Sequence, residues 1–351
     1  MNEQKLADKQ VKPIKPVLAI PLGDAAGIGP EIVAKVAANS RSLVETTHPI
    51  IVGDQSVLEM GMKIGNTSFS YKIAATFEEA VNLNGLVLLH TNSLDATTIK
   101  IGHVSPVLGK EETENLIMCI DACKQGLIDG FCHAPLNKGA MKLGGFDYES
   151  EHELFAKYFG TAKYYGEINV VDGVWTSRVT SHIPLKEVSN NLTIDRVYSA
   201  INLAYETLFK AGYEKPRVAI AAVNPHAGDS GTCGREEIDV ITPAVERAIR
   251  EGRNVLGPYS ADTLFIRAFD GEYDAVVTMY HDQGQIALKL KGFDRSVTVS
   301  AGQPNVITTP AHGTAYDIAG KSIAKTTAFE EAYHIATEMV IRERILKNTT
   351  T

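Results

Sequence analysis

Short runs of apolar residues alternate along the chain with longer segments whose apolar positions have helical spacing. An apolar run bounded by polar residues, Gly or Pro predicts a buried strand, and the helical spacing predicts an amphipathic helix. Strands are predicted at residues 17–21, 50–52, 85–90, 131–133, 217–222 and 275–280, with a hairpin of 170–174 and 177–180 around Gly173. Helices are predicted at residues 32–38, 55–64, 111–125, 154–159, 195–211, 236–251 and 326–347.

This alternation of strands and helices is typical of an α/β protein with mostly parallel sheets flanked by helices. The 351 residues are enough for one large domain or two of medium size. No internal repeat, low-complexity segment or flexible linker marks a domain boundary.

Composition narrows the possible partners. The formal net charge is −8 and no basic patch stands out, so nucleic acid is not expected as a partner. No apolar run approaches the ~20 residues needed to cross a bilayer, so no membrane association is expected.

Residues 1–16 are polar and are interpreted as a frayed tail rather than a secretory signal. Four cysteines, which we expect to be buried or half-buried free thiols, indicate a cytoplasmic location; they are Cys119, Cys123, Cys132 and Cys233.

Candidate chemistry is densest between residues 273 and 320. A polar cluster that begins with His281 and Asp282 follows the strand predicted at 275–280, and the ends of strands in open α/β sheets are where ligands bind. Residues 312–320 then combine small residues with polar donors at a predicted loop-to-helix junction. The stretch therefore offers a metal or acid–base group followed by a nucleotide loop.

Three histidines share one setting, because His182, His226 and His281 each follow a predicted apolar strand. The ends of parallel strands meet at one edge of a sheet, so the three imidazoles could converge there. Such a set suits zinc, cobalt, manganese or nickel, with Asp262 and Asp282 as carboxylates that orient the rings. The alternative is three unrelated histidines with local hydrogen bonds.

Three other positions allow both a functional and a structural interpretation. The glycines of residues 23–29 could bring the backbone close to a ligand or form only a tight strand-to-helix turn. Lys138 could meet an anion or remain solvated at the surface. Glu151 stands at a predicted helix start, where a carboxylate also stabilises the helix dipole.

Seven motifs resemble, in order, those of the 4-hydroxythreonine-4-phosphate dehydrogenase family, from residue 17 onward: GDAAGIGPEI, HAPLNK, SHIPL, NPHAGDSG, GPYSADTLF, MYHDQGQ and HGTAYDIAG. The first and last are also similar to the isocitrate and isopropylmalate dehydrogenase superfamily. The resemblance implies a two-domain fold with the active site in the interdomain cleft. On this basis we expect a first domain of residues 1–135 and 300–351, which carries the nucleotide loop, and a second of 136–299.

The resemblance also implies ligands and partners. It implies a divalent metal held by His182, His226 and His281, namely zinc or alternatively magnesium, manganese or cobalt. It implies NAD or NADP bound by part of residues 312–320, a homodimer with shared active sites, and a link to pyridoxine biosynthesis. The loop contains no Arg to meet a 2′-phosphate, so we expect NAD to be preferred. The expected cofactor residues are His312, Gly313, Thr314, Asp317 and Gly320.

Several substrate positions depart from the family pattern. The family's substrate-binding His and Thr correspond to Glu151 and His152, its Asn to Thr298 and its Arg to Ile307, while Ala311 replaces an Asp. Only the substrate Lys is kept, as Lys289. Exchange of a guanidinium for an apolar side chain, together with a new carboxylate, lowers anion affinity. We therefore expect a changed hydroxy-acid substrate, phosphorylated or not.

The expected reaction is metal-dependent, NAD(P)-linked oxidation of a hydroxy acid related to 4-hydroxythreonine 4-phosphate, with oxidative decarboxylation. Asp282 and Lys289 are the candidate general bases. The alternative within this class is dehydrogenation of a different four-carbon sugar-acid phosphate or diol acid without decarboxylation. A nucleotide-dependent hydrolase or kinase is disfavoured because no Walker lysine motif is present. A binding protein without activity is disfavoured because all three histidines are retained.

Overall fold

The computed structural model describes residues 15–349, so the tail predicted at residues 1–16 lies almost wholly outside the described part of the chain. The strands are β1 (Val17–Pro21), β2 (His48–Gly53), β3 (Lys72–Ala74), β4 (Val87–His90), β5 (Gly130–Cys132), β6 (Gly166–Val171), β7 (Val174–Arg178), β8 (Val218–Ala221), β9 (Val255–Tyr259), β10 (Ala275–Thr278), β11 (Val297–Ala301) and β12 (Val306–Pro310). The helices are α1 (Gly29–Ala38), α2 (Ser40–Thr46), α3 (Gln55–Gly65), α4 (Phe77–Ala80), α5 (Pro106–Lys124), α6 (Lys138–Leu143), α7 (Glu151–Phe159), α8 (Val188–Asn191), α9 (Ile194–Lys210), α10 (Thr242–Arg250), α11 (Ala261–Phe269), α12 (His281–Gly292) and α13 (Thr327–Thr349).

All twelve strands form one sheet in the order β3-β4-β2-β1-β5-β12-β11-β6-β7-β10-β8-β9. Neighbours are parallel except in the middle, where β11 runs antiparallel to both β12 and β6, and β6 runs antiparallel to β7. The strands on the two sides of this reversal therefore run in opposite directions. The prediction of an α/β protein with mostly parallel sheet is confirmed.

The apolar faces of the helices cover the sheet and build its core. Clusters of buried residues lie on the sheet, the largest joining strand residues such as Ile20 and Val277 to helix residues such as Ile32 and Ile201. Long α13 packs against β12 and β5, and Thr308 of β12 donates from Oγ1 to the Ala332 carbonyl of that helix at 2.8 Å. Within residues 15–349 no helix is both long and apolar enough to cross a membrane.

Some boundaries differ from those predicted. The hairpin turns at Asp172 and Gly173, both with positive φ, but its strands lie at Gly166–Val171 and Val174–Arg178. The strand predicted at 275–280 ends at Thr278, because α12 begins at His281. The helix predicted at 236–251 begins as a π-helical turn, Glu237–Ile241, before α10.

Two further predictions concern thiols and domains. Cys119, Cys123 and Cys132 are buried free thiols as predicted, whereas Cys233 is exposed, which corrects the expectation for that residue. It follows a glycine-rich turn at the surface rather than an apolar stripe. The domain boundary predicted between residues 299 and 300 falls inside β11 of the continuous sheet, and the division into two domains stays a prediction.

Candidate active site

A cavity of about 280 Å³ lies over the antiparallel centre of the sheet. Strands β6 and β11 contribute Glu167, Asn169 and Thr298. The segments that follow β5 and β12 border it, and so do those that follow β7 and β10. The reversal in strand direction therefore gathers residues from both halves of the sheet around one pocket. Its lining comprises His133, Pro135, Leu136, Lys138, Glu151, Glu167, Asn169, His182, His281, Gln285, Lys289, Thr298, Thr309, Pro310, Ala311, His312 and Gly313.

Two of the three predicted metal ligands lie together at this cavity. Strands β7 and β10 are parallel neighbours, and the rings of His182 and His281 beyond their ends have centroids 5.7 Å apart. His281 Nδ1 lies 2.7 Å from Asp282 Oδ1, so Asp282 can hold the ring with Nε2 free for a ligand. Asp262, the other predicted orienting carboxylate, lies in the first turn of α11.

His226 follows β8, which pairs with β10 on its other side, but it does not line the cavity. It begins a left-handed turn in which every residue from His226 to Ser230 has positive φ. The Glu237 carboxylate supports this turn by accepting from the amides of Val223 and Asn224 at 2.8 Å. Within residues 15–349 no three His, Cys, Asp or Glu side chains are close enough to hold a metal ion. The pair of imidazoles fits a divalent ion chemically, and the three-histidine site stays a prediction.

Among the residues that depart from the family pattern, Glu151 lines the cavity, whereas His152 is buried behind it with Nδ1 2.9 Å from Ser300 Oγ. Glu151 Oε2 lies 2.9 Å from Lys138 Nζ, and Glu151 Oε1 lies 3.9 Å from His152 Nε2. Burial raises the pKa of Glu151, but the charges of His152 and Lys138 outweigh it and lower the pKa overall. Helix α7 is capped by Ser150 Oγ, which accepts from the Glu153 amide. Glu151 is therefore not needed as the helix cap, and its side chain lines the cavity.

A polar network missed by the sequence analysis lies beneath these residues. Arg178 is buried and donates to Glu167 Oε2 and, at 3.1 Å, to Asn169 Oδ1. Asn169 Nδ2 donates to Thr298 Oγ1 at 2.9 Å and to Glu167 Oε1 at 2.8 Å. Burial raises the pKa of Glu167, but Arg178 and the other donors lower it overall to about 2. Thr298 is thus held inside the protein network.

The other predicted substrate positions differ in their access to the cavity. Lys289 of α12 is exposed and lines it, and Ala311 lines it as well. Ile307 is fully buried in β12 among apolar residues. The side chain at the family's Arg position therefore belongs to the core and offers nothing to an anion.

The predicted nucleotide loop borders the same cavity through His312 and Gly313. Thr314 accepts from the Ile28 amide at 3.0 Å, and a Cβ on Gly27 would lie 2.8 Å from Thr314 Cβ. The glycine turn thus packs against the loop, which supports its structural interpretation. Asp317 and Gly320 are exposed.

The Tyr316 hydroxyl connects the predicted nucleotide loop to two other segments of the chain. Its hydroxyl donates to Asp24 and accepts from Asn137 Nδ2 at 2.7 Å. Burial raises the pKa of Asp24, and the hydrogen bond from Tyr316 only partly offsets it. Asn137 precedes Lys138, so this network joins the nucleotide loop to the substrate side of the cavity.

His133 is a cavity residue that the sequence analysis did not single out. It follows β5, is 1% exposed and lies edge-on to Phe155, with ring centroids 5.9 Å apart. Burial lowers its pKa to about 4. A signal was available in the sequence, because His133 is a histidine at the end of the strand predicted at residues 131–133.

The fold and the cavity define an α/β enzyme with a ligand pocket at the centre of its sheet, and comparisons with known proteins give its family. The sequence model described as "Pyridoxal phosphate biosynthetic protein PdxA" matches residues 45–336. The chain is 40% identical over 335 residues, 95% of each protein, to a Rhizobium meliloti (strain 1021) protein provisionally named 4-hydroxythreonine-4-phosphate dehydrogenase 2. It is 38% identical over 327 residues, covering 93% of this chain and 98% of the relative, to an Oceanobacillus iheyensis protein provisionally named D-threonate 4-phosphate dehydrogenase.

Comparison with solved structures gives the same family. A 4-hydroxythreonine-4-phosphate dehydrogenase from Klebsiella pneumoniae matches with a TM-score of 0.83 and 31% identity, covering 93% of this chain and 98% of that one. A terephthalate 1,2-cis-dihydrodiol dehydrogenase from Burkholderia xenovorans LB400 matches with a TM-score of 0.65 and 26% identity, covering 92% and 98%. The chain belongs to the PdxA family, as its motifs predicted, and it is a nicotinamide-dependent dehydrogenase that acts on a CH–OH group.

Proposed function

We propose that the chain catalyses metal-dependent, NAD-linked oxidation, with decarboxylation, of a hydroxy acid related to 4-hydroxythreonine 4-phosphate. The observation that carries this proposal is the joint lining of one cavity by His182 and His281 on one side and by His312 and Gly313 on the other. A pair of metal-binding imidazoles beside a nucleotide loop would supply what metal-assisted oxidation of an alcohol by a nicotinamide cofactor requires. Dehydrogenation of a related sugar-acid phosphate or diol acid without decarboxylation is the second candidate. The name of the Burkholderia xenovorans relative, a dihydrodiol dehydrogenase, supports the diol acid as a substrate class.

The chain's own residues have distinct parts in this reaction. His182 and His281, with His226, would hold the divalent ion, zinc or alternatively magnesium, manganese or cobalt. When bound, the ion lowers the pKa of the substrate hydroxyl and polarises the carbonyl that forms. Lys289, which lines the cavity, is proposed as the base that takes the hydroxyl proton. Asp282 accepts from His281, which supports a positioning role for it rather than that of general base.

The cofactor residues are proposed to be His312, Gly313, Thr314, Asp317 and Gly320. When bound, the nicotinamide would accept hydride from the carbon that bears the hydroxyl, and the part of these residues would be to position it. NAD is proposed over NADP because no Arg lies in the loop to meet a 2′-phosphate. Calorimetry that shows tighter binding of NADP than of NAD would contradict this choice.

The substrate is proposed to differ from that of most named relatives. Glu151, His152 and Thr298 stand at the family's substrate-binding positions, and Ile307 is buried in the core. The site therefore lacks the Arg that grips a phosphate in the family, whereas Lys289 remains. A charged hydrogen bond contributes about 1.5–3 kcal/mol, so 4-hydroxythreonine 4-phosphate should be a poor substrate.

The test of the proposed function combines metal analysis with turnover. Purified protein is incubated with each divalent metal, NAD and a panel of hydroxy acids with and without phosphate, and nicotinamide absorbance is followed. We expect NAD reduction that depends on metal, and loss of both bound metal and turnover in His281→Ala. Full metal occupancy and full turnover in that variant would show that His281 is not a ligand.

A further inference from the structure

His133 offers the cavity a hydrogen-bond acceptor. Its Nδ1 lies 3.0 Å from the Ala134 carbonyl oxygen, and because a carbonyl oxygen can only accept, Nδ1 carries the ring proton. In the neutral imidazole the lone pair is then on Nε2. This atom is buried and has no hydrogen-bond partner among residues 15–349.

The surroundings of the His133 ring keep the imidazole neutral. The imidazole lies beside Phe131 and Phe155, with ring centroids 6.3 and 5.9 Å away, and burial keeps its pKa well below neutral. A buried acceptor without a donor is unfavourable. The same atom becomes useful when a ligand in the adjoining cavity supplies a donor.

A second acceptor stands beside it. Glu151 shares the cavity with His133 and influences its charge state, and its carboxylate pairs with Lys138 at 2.9 Å while Oε1 retains only a 3.9 Å approach to His152. The guanidinium of Arg178, beneath the cavity, is already engaged, because it donates to Glu167, to Asn169 and, at 3.1 Å, to Ser181. Beside the Lys138 ammonium, this part of the pocket thus presents the acceptor His133 Nε2 and the Glu151 carboxylate.

We propose that His133 Nε2 and the Glu151 carboxylate together bind a hydrogen-bond donor of the substrate, a free hydroxyl or a primary amine, at the position where a phosphorylated substrate would carry its phosphate. The inference rests on the proposed function and specifies its substrate class. A phosphate dianion brings only acceptor oxygens and about −1.5 to −2 charges, so it meets the unpaired acceptor His133 Nε2 and the like charge of the Glu151 carboxylate. An ammonium group can donate to both, and a hydroxyl, which carries one proton, can donate to one of them.

Matched substrate pairs test this proposal. Initial rates with metal and NAD are compared for 4-hydroxythreonine and D-threonate against their 4-phosphates. We expect kcat/KM to favour the unphosphorylated member of each pair by about tenfold or more, since an unsatisfied buried acceptor lowers transition-state affinity by roughly this factor. Equal or higher kcat/KM for the phosphates would overturn the inference.

Variants assign the preference to the two acceptors. His133→Leu and Glu151→Gln should each reduce the preference for the free hydroxyl, whereas His133→Gln, which retains an acceptor oxygen, should keep most of it. His334→Leu, the same exchange at an exposed site on α13, should leave it unchanged. A preference that persists in both His133→Leu and Glu151→Gln overturns the proposal. So does a rise in the KM for NAD that is equal for all substrates, because His133 would then serve the cofactor.

Calorimetry separates this inference from the proposed function. If no hydroxy acid supports NAD reduction, the proposed function has failed, and binding of 4-hydroxythreonine and its 4-phosphate to the full chain still decides the inference. Tighter binding of the unphosphorylated compound that is lost in Glu151→Gln supports it. Tighter binding of the phosphate overturns it.

Discussion

The side chains under the cavity include an ion pair that is largely removed from water. Arg178 is 8% exposed, and its guanidinium neutralises Glu167 in the neighbouring strand. Removal of one partner leaves a buried charge without compensation, which costs about 3–5 kcal/mol. We therefore expect Arg178→Met to lower the free energy of unfolding by roughly this amount in urea denaturation.

The matched control for that variant is Arg295→Met. Arg295 likewise pairs with a carboxylate, that of Asp172, here in a bidentate contact, but its side chain is 41% exposed, so its loss should cost only about 0–1 kcal/mol. Similar losses in the two variants would mean that Arg178 and Glu167 are solvated in solution.

The same pair makes stability depend on pH in acid. Glu167 has a folded pKa of about 2 against about 4.3 in an unfolded chain. A depressed pKa contributes stability that is fully present above the unfolded value and is lost as pH falls towards the folded value. Thermal unfolding between pH 6 and 2 should therefore show a loss of stability that is smaller in Glu167→Gln. An identical acid dependence in both proteins would refute the assignment.

For individual residues, the sequence predicted part of the site. Parallel neighbouring strands end at the same edge of a sheet, so His182 and His281 were predicted to lie close together. The structure confirms this proximity. Arg178 and Glu167 could not be foreseen as partners, because their contact depends on which strands β6 pairs with and in what register. His133 was missed because the predicted strand, residues 131–133, included it, whereas β5 ends at Cys132 and His133 follows it.

Among the helices, α5 and α6 pack unusually closely. A Cβ on Gly109 of α5 would lie 1.9 Å from the Ala140 carbonyl carbon of α6. Gly109→Ala must therefore push α6 away, and Lys138 at its first turn moves with it. We expect a lower unfolding midpoint together with a raised KM for the hydroxy acid, measured by calorimetry and initial rates.

Gly65→Ala is the control for that substitution. Gly65 also lies in a helix, α3, but there the nearest atom is Cγ of the flexible Lys35 side chain at 3.2 Å. The midpoint should stay within a degree or two of the parent protein, since Ala is favoured over Gly in helices by ~1 kcal/mol. If Gly109→Ala is equally harmless, the close approach of α5 and α6 is not rigid.

Periodicity predicted most of the strands and helices but missed several, among them the central strands β11 and β12 and the helix α12. In α12, Ile286 and Leu290 are exposed whereas Leu288 is buried, so its apolar residues lie on two sides of the helix and do not form the single stripe that marks a helix packed on a core. The helix is nevertheless where His281 and Lys289 reside. An element whose apolar residues are spread over two faces is one that periodicity predicts poorly.

For the whole molecule, those exposed residues bear on the proposed homodimer. Leu290 is 84% exposed and Ile286 60% exposed, on the helix that carries Lys289. Exposed apolar patches beside a site mark interaction surfaces, and a second copy of the chain is the occupant that the family resemblance implies. Leu290→Asp should convert the dimer to a monomer in sedimentation velocity and lower turnover.

The control is Ile249→Asp on α10, a residue that is 50% exposed. It should sediment as the parent protein does. A parent protein that is already monomeric and fully active at micromolar concentration would contradict a shared active site. Dissociation by both substitutions would mean that the surface of α12 has no special part in assembly.

The strand order has a consequence for how the chain is made. Strand β12 lies between β5 and β11, yet it begins only at Val306, and α13, which covers it, begins at Thr327. When the nascent chain has left the ribosome only as far as β11, the side of β5 that β12 will occupy still has unpaired backbone N–H and C=O groups. Such an edge can pair with strands of other chains. Nascent chains that stall before Val306 should aggregate or require a chaperone, whereas those that extend past α13 should not.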